Sequence, residues 1–166
     1  MGVSGSGKTT IGRALAAGLG CDFQEGDDLH PQANRAKLRA GIPLDDDDRS
    51  PWLAAVAAWI DRQRQAGRDA VISCSALKRA YRAQLRRDRP EVRMIYLRAA
   101  EATIAERIRA RTHAFMPASL LHSQFETLEA PQNEVGVDVI DVDTLTPEQT
   151  VQQALVRLKP LANSGN

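Results

Sequence analysis

A chain of 166 residues suits one domain with one buried core, and 43% apolar with 26% charged residues is an ordinary globular balance. A net charge of +1 supplies no global field that would recommend nucleic acid, a membrane surface or a polyanion as partner. Cys21 and Cys74 have no metal-ligand spacing and read as reduced thiols of a cytoplasmic protein; no run approaches the roughly 18 apolar residues of a membrane helix, and the small, polar first residues do not resemble a secretion signal.

In chain order, "MGVSGSGKTT" opens with a glycine-rich loop, and a helix is expected from about Thr9 to Leu19 with Gly20 as its stop. A short strand ends near Glu25 and passes into an acidic turn. "PQANRAKLRAG" reads as a helix with Pro31 at its first position and Gly41 beyond its end, "IPLDDDDR" as a loop. "SPWLAAVAAWIDRQRQAG" is the clearest helix, with Ser50 as cap, Pro51 at the first position and Gly67 closing it. "DAVISCS" and "VRMIYL" are continuous apolar runs, as buried parallel strands are, and each precedes a helical pattern. "ASLLHSQFETLE" is helical up to Pro131, "VGVDVIDVD" is a last strand, and Thr146 caps a last helix before a frayed "ANSGN". Strands alternating with helices predict an α/β domain with a parallel sheet and right-handed crossovers.

"GVSGSGKT" satisfies G-x-x-x-x-G-K-[ST] with Gly2, Gly7, Lys8 and Thr9. Glycines let successive N–H groups curl toward anionic oxygens, and the next helix points its N-terminus at the same phosphates. Lys8 reaches the β- and γ-phosphates, and the Thr9 hydroxyl can ligate Mg²⁺. Gly2, Ser4, Gly5, Ser6, Gly7, Lys8, Thr9 and Thr10 are therefore the expected ATP-binding set. The bland alternative, a chance glycine-rich turn, is disfavoured by the helix that follows. Neither a guanine-reading N/T-K-x-D nor a D-x-x-G switch is present, and the strand "ISCSALK" ends in serines where a motor ATPase would carry a carboxylate. A kinase fits better than a GTPase or a motor.

Asp27, in "QEGDDLH", falls at the carboxyl end of the second strand, where ligands of open α/β sheets collect. A carboxylate there can orient an attacking hydroxyl and take its proton, with Glu25 or Asp28 as partners through Mg²⁺-bound water. Turn and capping acids are the competing reading. The four carboxylates of "LDDDDR" read as a solvated loop rather than a metal site, whereas Arg49 suits an anionic acceptor. Lys78 and Arg82 share one helix face, with Arg86 continuing it; substrate contact and plain surface weigh equally for them. Arg79, Arg87 and Arg89 read as solvated, and aromatics are too few for a nucleic-acid patch. Arg107 and Arg111, four apart before the break at "AFMP", could swing over the nucleotide, or belong to a salt-bridged helix.

Together "GVSGSGKTT", "GDDLHP", "N..KL..G.PL.D.DR..WL", "CSALK..YR..LR", "IYL" and "SQF.TLE.P" resemble the gluconate kinases of the shikimate-kinase-like P-loop group, from Gly2 to about Pro131. The resemblance implies a three-layer P-loop fold with a small helical lid at about 111–124, in one domain over residues 1–166. It also implies ATP- and Mg²⁺-dependent phosphorylation of D-gluconate to 6-phosphogluconate by a cytoplasmic homodimer. It makes Lys8, Asp27 and Arg111 catalytic, Arg107 and Arg111 nucleotide-side lid residues, and Asp27, Arg49, Lys78 and Arg82 acceptor contacts. The alternatives are a kinase of another sugar acid or shikimate, or a non-catalytic nucleotide-binding protein.

Two departures stand out. The family's "HFMP" is here "HAFMP", so His113 sits one step early, a rotation of about 100° on a helix. The family also carries an apolar strand directly before the loop, in mid-sheet. Its absence from the sequence leads to the expectation that Met1 is an internal methionine of a longer chain, and that the chain as written is weakened or inactive.

Overall fold

The computed structural model describes residues 1–110 and 118–158. The elements follow in the order α1 (Lys8–Leu19), β1 (Asp22–Glu25), a 3-10 turn (Gly26–Leu29), α2 (Gln32–Arg39), α3 (Asp46–Gln65), β2 (Ala70–Ser73), α4 (Arg79–Arg86), β3 (Met94–Arg98), α5 (Glu101–Arg109), α6 (Ala118–Thr127), β4 (Val137–Asp141) and α7 (Pro147–Leu158). Every strand pair is parallel: β1 with β2 from Asp22 opposite Ala70, and β3 with β4 from Met94 opposite Val137. Two apolar clusters cover the sheet. Ile11 and Leu15 of α1, Ile104 of α5, Leu121 of α6 and Ala154 of α7 build one. Trp52, Val56 and Ile60 of α3 with Tyr81 and Leu85 of α4 build the other. Helices on both faces of a parallel sheet give the α/β architecture that the alternating pattern predicts.

Most element ends obey local chemistry. Gly20 closes α1 in the left-handed region at φ 67°, and Thr146 exchanges a reciprocal pair of bonds with Gln149 at the start of α7. The start of α3 corrects the sequence reading. Asp45, not Ser50, is the cap: Asp45 and Asp48 form a capping box, and Asp46, Asp47 and Asp48 make the first turn. Three carboxylates there are favoured by the helix dipole. Pro51 consequently lies inside the helix, near its exposed end. The acidic run is thus a helix start rather than a loop, solvated as expected at Asp45, Asp46 and Asp47, and two of its members are engaged: Asp48 with Lys37 at 2.6 Å and Asp46 with Lys78 at 2.7 Å. Pro31 similarly sits at the cap of α2, one residue before its first turn.

The sheet has an interruption. Among the described residues, Met1 and Gly2 reach in between β2 and β3: the Met1 nitrogen donates to the Ile95 carbonyl, Leu97 N donates to Met1 O, and Gly2 N donates to Ser75 O. Before that point the facing edges of β2 and β3 belong to separate two-stranded sheets. A cavity of about 410 Å³ lies between them, walled by Val71, Ile72 and Ile95, by Ile11 and Leu15 of α1, and by Trp59 of α3. Val71, Ile72 and Ile95, expected to be buried, are for this reason only half-buried.

Candidate active site

The loop from Gly2 to Gly7 hangs from the strand ends and delivers the chain into α1. Gly7 turns it at φ 93°, in the left-handed region that side chains avoid, and Ile11 N then donates to Gly7 O at 2.8 Å as the helix begins. No side chain caps α1 and no acidic residue stands in its first turn. Its N-terminal N–H groups and dipole therefore remain available to an anion. The Ser6 hydroxyl is buried within the loop and has no hydrogen-bond partner among the described residues. An uncapped helix start and an orphaned buried hydroxyl fit a bound polyphosphate. Lys8 lies folded over the loop, its Nζ donating to Val3 O at 2.9 Å.

Thr9 turns its hydroxyl to Glu25, at 2.5 Å from Oε2, while the other Glu25 oxygen accepts from Ser73 Oγ. Ser73 Oγ also accepts from Gly26 N at 3.1 Å. This joins the α1 start to the ends of β1 and β2 through oxygen donors, the chemistry a hard divalent cation prefers. Glu25, weighed in the sequence only as a secondary partner, is the acid in contact with the predicted metal hydroxyl; Asp28 is exposed. Gly26 is required by close approach: a Cβ there would fall 2.0 Å from the Ser73 carbonyl oxygen. Its own carbonyl accepts from Trp52 Nε1 at 2.8 Å.

Across from the loop, Asp27, His30 and Arg49 line a cleft that Ser4, Lys8 and Gln124 close from the other side. The Asp27 side chain is 66% exposed. Desolvation by the surrounding protein raises its pKa above the ordinary 3.8, Lys8 opposes the rise, and Glu25 and Asp28 add to it. His30 is 7% exposed and stacks on Trp52 with ring centroids 4.3 Å apart. Gln124 of α6 accepts from Ser4 N at 2.7 Å. That contact, spanning 120 positions, brings "SQF" to the phosphate loop and escaped the sequence reading of site residues.

Arg49 is the cation the structure brings to the acceptor cleft; its Nη1 lies 3.5 Å from the Tyr81 hydroxyl. Lys78 lies 5.6 Å from the ring of the same tyrosine, bound to Asp46, and Tyr81 itself donates to Asp46. Arg82 does not join them. It is 1% exposed, holds Glu134 through Nε at 2.9 Å and Nη2 at 2.6 Å, and donates Nη1 to the Ala76 and Leu77 carbonyls at 3.2 and 2.9 Å. Ala76 has φ 44°, a strained value for alanine, so Arg82 clamps the segment leaving β2 instead of touching an acceptor. Arg89, expected to be solvated, pairs with Asp61 at 2.5 Å. Arg107 donates to Val142 O at 2.6 Å, just beyond the end of β4; Arg111 and His113 lie outside the described residues.

Replacing Arg82 by methionine is accordingly expected to cost about 3 kcal/mol of stability, because Glu134 is left largely buried without its partner. Urea melts should show the loss. Replacing Glu134 by leucine as well should recover much of it, whereas an acceptor-contact role would show chiefly in KM.

A parallel sheet flanked by helices, a phosphate loop at its carboxyl edge and a carboxylate facing that loop across a cleft define a P-loop kinase of a small acceptor. A family described as an AAA domain matches residues 1–131. A gluconokinase of Gluconobacter oxydans is 51% identical over 82% of this chain and 77% of its own. The thermosensitive gluconokinase of Escherichia coli is 42% identical over 96% and 87%. The crystal structure of a gluconokinase from Sinorhizobium meliloti superposes with TM-score 0.84 at 48% identity, covering 95% of this chain and 88% of that one. The chain belongs to the gluconokinase family.

Proposed function

We propose that this protein transfers the γ-phosphoryl group of ATP to a hydroxyl of D-gluconate, giving 6-phosphogluconate, as a cytoplasmic homodimer. The single observation that carries the reading is the opposition of Asp27 to Lys8 and the phosphate loop across one cleft, with Arg49 beside it. The loop amides, the α1 N-terminus and Lys8 hold the triphosphate. Asp27 accepts the proton of the hydroxyl as its oxygen bonds to the γ-phosphorus and the bond to the leaving ADP oxygen breaks. Arg49 suits the acceptor carboxylate, with Lys78 joining it if its pair with Asp46 opens. Thr9 and Glu25 would hold Mg²⁺, which supplies neutralisation of the phosphate charge. Residues 111–124 act as the lid of a single kinase domain and exclude water, with Arg107 and Arg111 on the nucleotide side.

Among the described residues no helix is long and apolar enough to cross a membrane. The test is ADP release from ATP against a panel of D-gluconate, other sugar acids and shikimate. Release that depends on gluconate and is nearly absent with shikimate supports the reading; release that no sugar acid stimulates overturns it. Sedimentation velocity on the same sample tests the dimer.

A further inference from the structure

The kinase reading assigns no task to the histidine of the cleft wall. His30 is buried, stacked on Trp52 at an interplanar angle of 12°, and part of the cleft wall beside Asp27. Its ring state is fixed from behind. Asn34, 3% exposed, points its amide nitrogen at His30 Nδ1 at 3.3 Å and donates from the same nitrogen to Asp48 O at 2.6 Å. An amide nitrogen only donates, so Nδ1 is the accepting nitrogen and the ring proton sits on Nε2. Nε2 faces the cleft, 4.0 Å from Asp27 Oδ1.

That separation is too long for a direct hydrogen bond and suits a bridge. Two atoms 4.0 Å apart can each lie about 2.8 Å from one oxygen placed to the side of the line between them. We propose that His30 orients the reacting acceptor hydroxyl, its neutral Nε2–H donating to the same oxygen whose own proton points at Asp27. A hydroxyl has one donor and two acceptor positions. With the hydroxyl proton donated in a hydrogen bond to Asp27 and one lone pair accepting from His30, the second lone pair is left to face the γ-phosphorus. The proton then moves to Asp27 as the oxygen–phosphorus bond forms, and His30 keeps its own proton throughout. Burial, together with Arg49 and Arg35, lowers the His30 pKa to about 4, so the ring stays neutral near pH 7 and does not form an ion pair that would occupy Asp27.

The inference rests on the kinase reading, and its test separates the two. Steady-state kinetics of wild type, His30→Leu and His30→Gln are compared on whichever polyol acid the wild type phosphorylates, together with the same acid lacking the reacting hydroxyl as a competitive inhibitor. Failure of the wild type on gluconate itself therefore falls on the acceptor assignment, not on His30. His30→Leu should lower acceptor kcat/KM roughly tenfold to a hundredfold through misorientation, leave the KM for ATP within about twofold, and bind the acceptor and its deoxy analogue alike. His30→Gln, which keeps an N–H donor, should recover part of the loss. Acceptor kinetics unchanged in His30→Leu with only a lower Tm, or acceptor and ATP constants worsened equally in both variants, would overturn the assignment and leave His30 as packing for Trp52.

Discussion

Asp27→Asn is expected to lower acceptor-dependent turnover by about two to four orders of magnitude, the range general-base groups contribute, while leaving the fold intact. The amide preserves the shape of the side chain and a hydrogen-bonding oxygen, but cannot receive the proton of the attacking hydroxyl. The pKa of Asp27 supplies a second signature. Desolvation raises it above 3.8 in the folded protein, so the acid limb of the wild-type rate profile should lie above the ordinary aspartate range and vanish in the variant. The sign for stability follows from the same shift. A carboxyl that binds its proton more tightly when folded makes its charged form the costlier one in the fold, so the folded state loses stability as pH rises through the shifted pKa. At pH 7, removing that charge should leave the variant at least as stable as the parent. Low turnover with undiminished Tm therefore separates lost chemistry from lost structure; turnover within a few-fold of wild type would remove Asp27 from the role of base.

Features set by neighbours in sequence were legible without coordinates. The phosphate loop is one: Gly7, Lys8 and Thr9 turn, charge and start α1 within three positions. Asp27 is another, since a strand that ends at Glu25 must deliver the next acidic residues to the carboxyl edge of the sheet. What depended on distant partners was not. For Arg82, spacing and charge left acceptor contact and surface evenly weighed and the family resemblance favoured the acceptor, whereas Glu134, which holds it, lies 52 positions away. Gln124 reaches Ser4 across 120 positions, and no residue near either one signals the other. The start of α3 failed for a different reason. Ser50-Pro51 and Asp45-x-x-Asp48 are both good start signals, and ion pairs of Asp46 with Lys78 and Asp48 with Lys37 favour the earlier one. His30 was quoted within a motif but given no role, because its meaning lies in Trp52 and Asn34, which position its ring.

Joining five apolar, β-forming residues ahead of Met1 should raise stability by about 5 kcal/mol, or roughly 10–20 °C in Tm. The slot lies between the facing edges of β2 and β3, which belong to separate sheets, and Met1 already sits at its inner end, bonded to Ile95 and Leu97 of β3. Residues continuing outward would pair with both edges. Each added bond contributes about 1 kcal/mol net, each buried side chain about 1.5–3 kcal/mol, and ordering the new backbone opposes them by about 1–2 kcal/mol per residue. Turnover should increase as well, because the phosphate loop would then hang from a strand paired along its length, in place of the two residues that now anchor it to Ser75 and Leu97. Melting curves and acceptor-dependent ADP release decide the matter against a control extension with proline at its second and fourth positions. Equal Tm for the apolar and proline extensions would show that the slot does not take a strand, and equal turnover would show that two anchoring residues are enough to hold the loop.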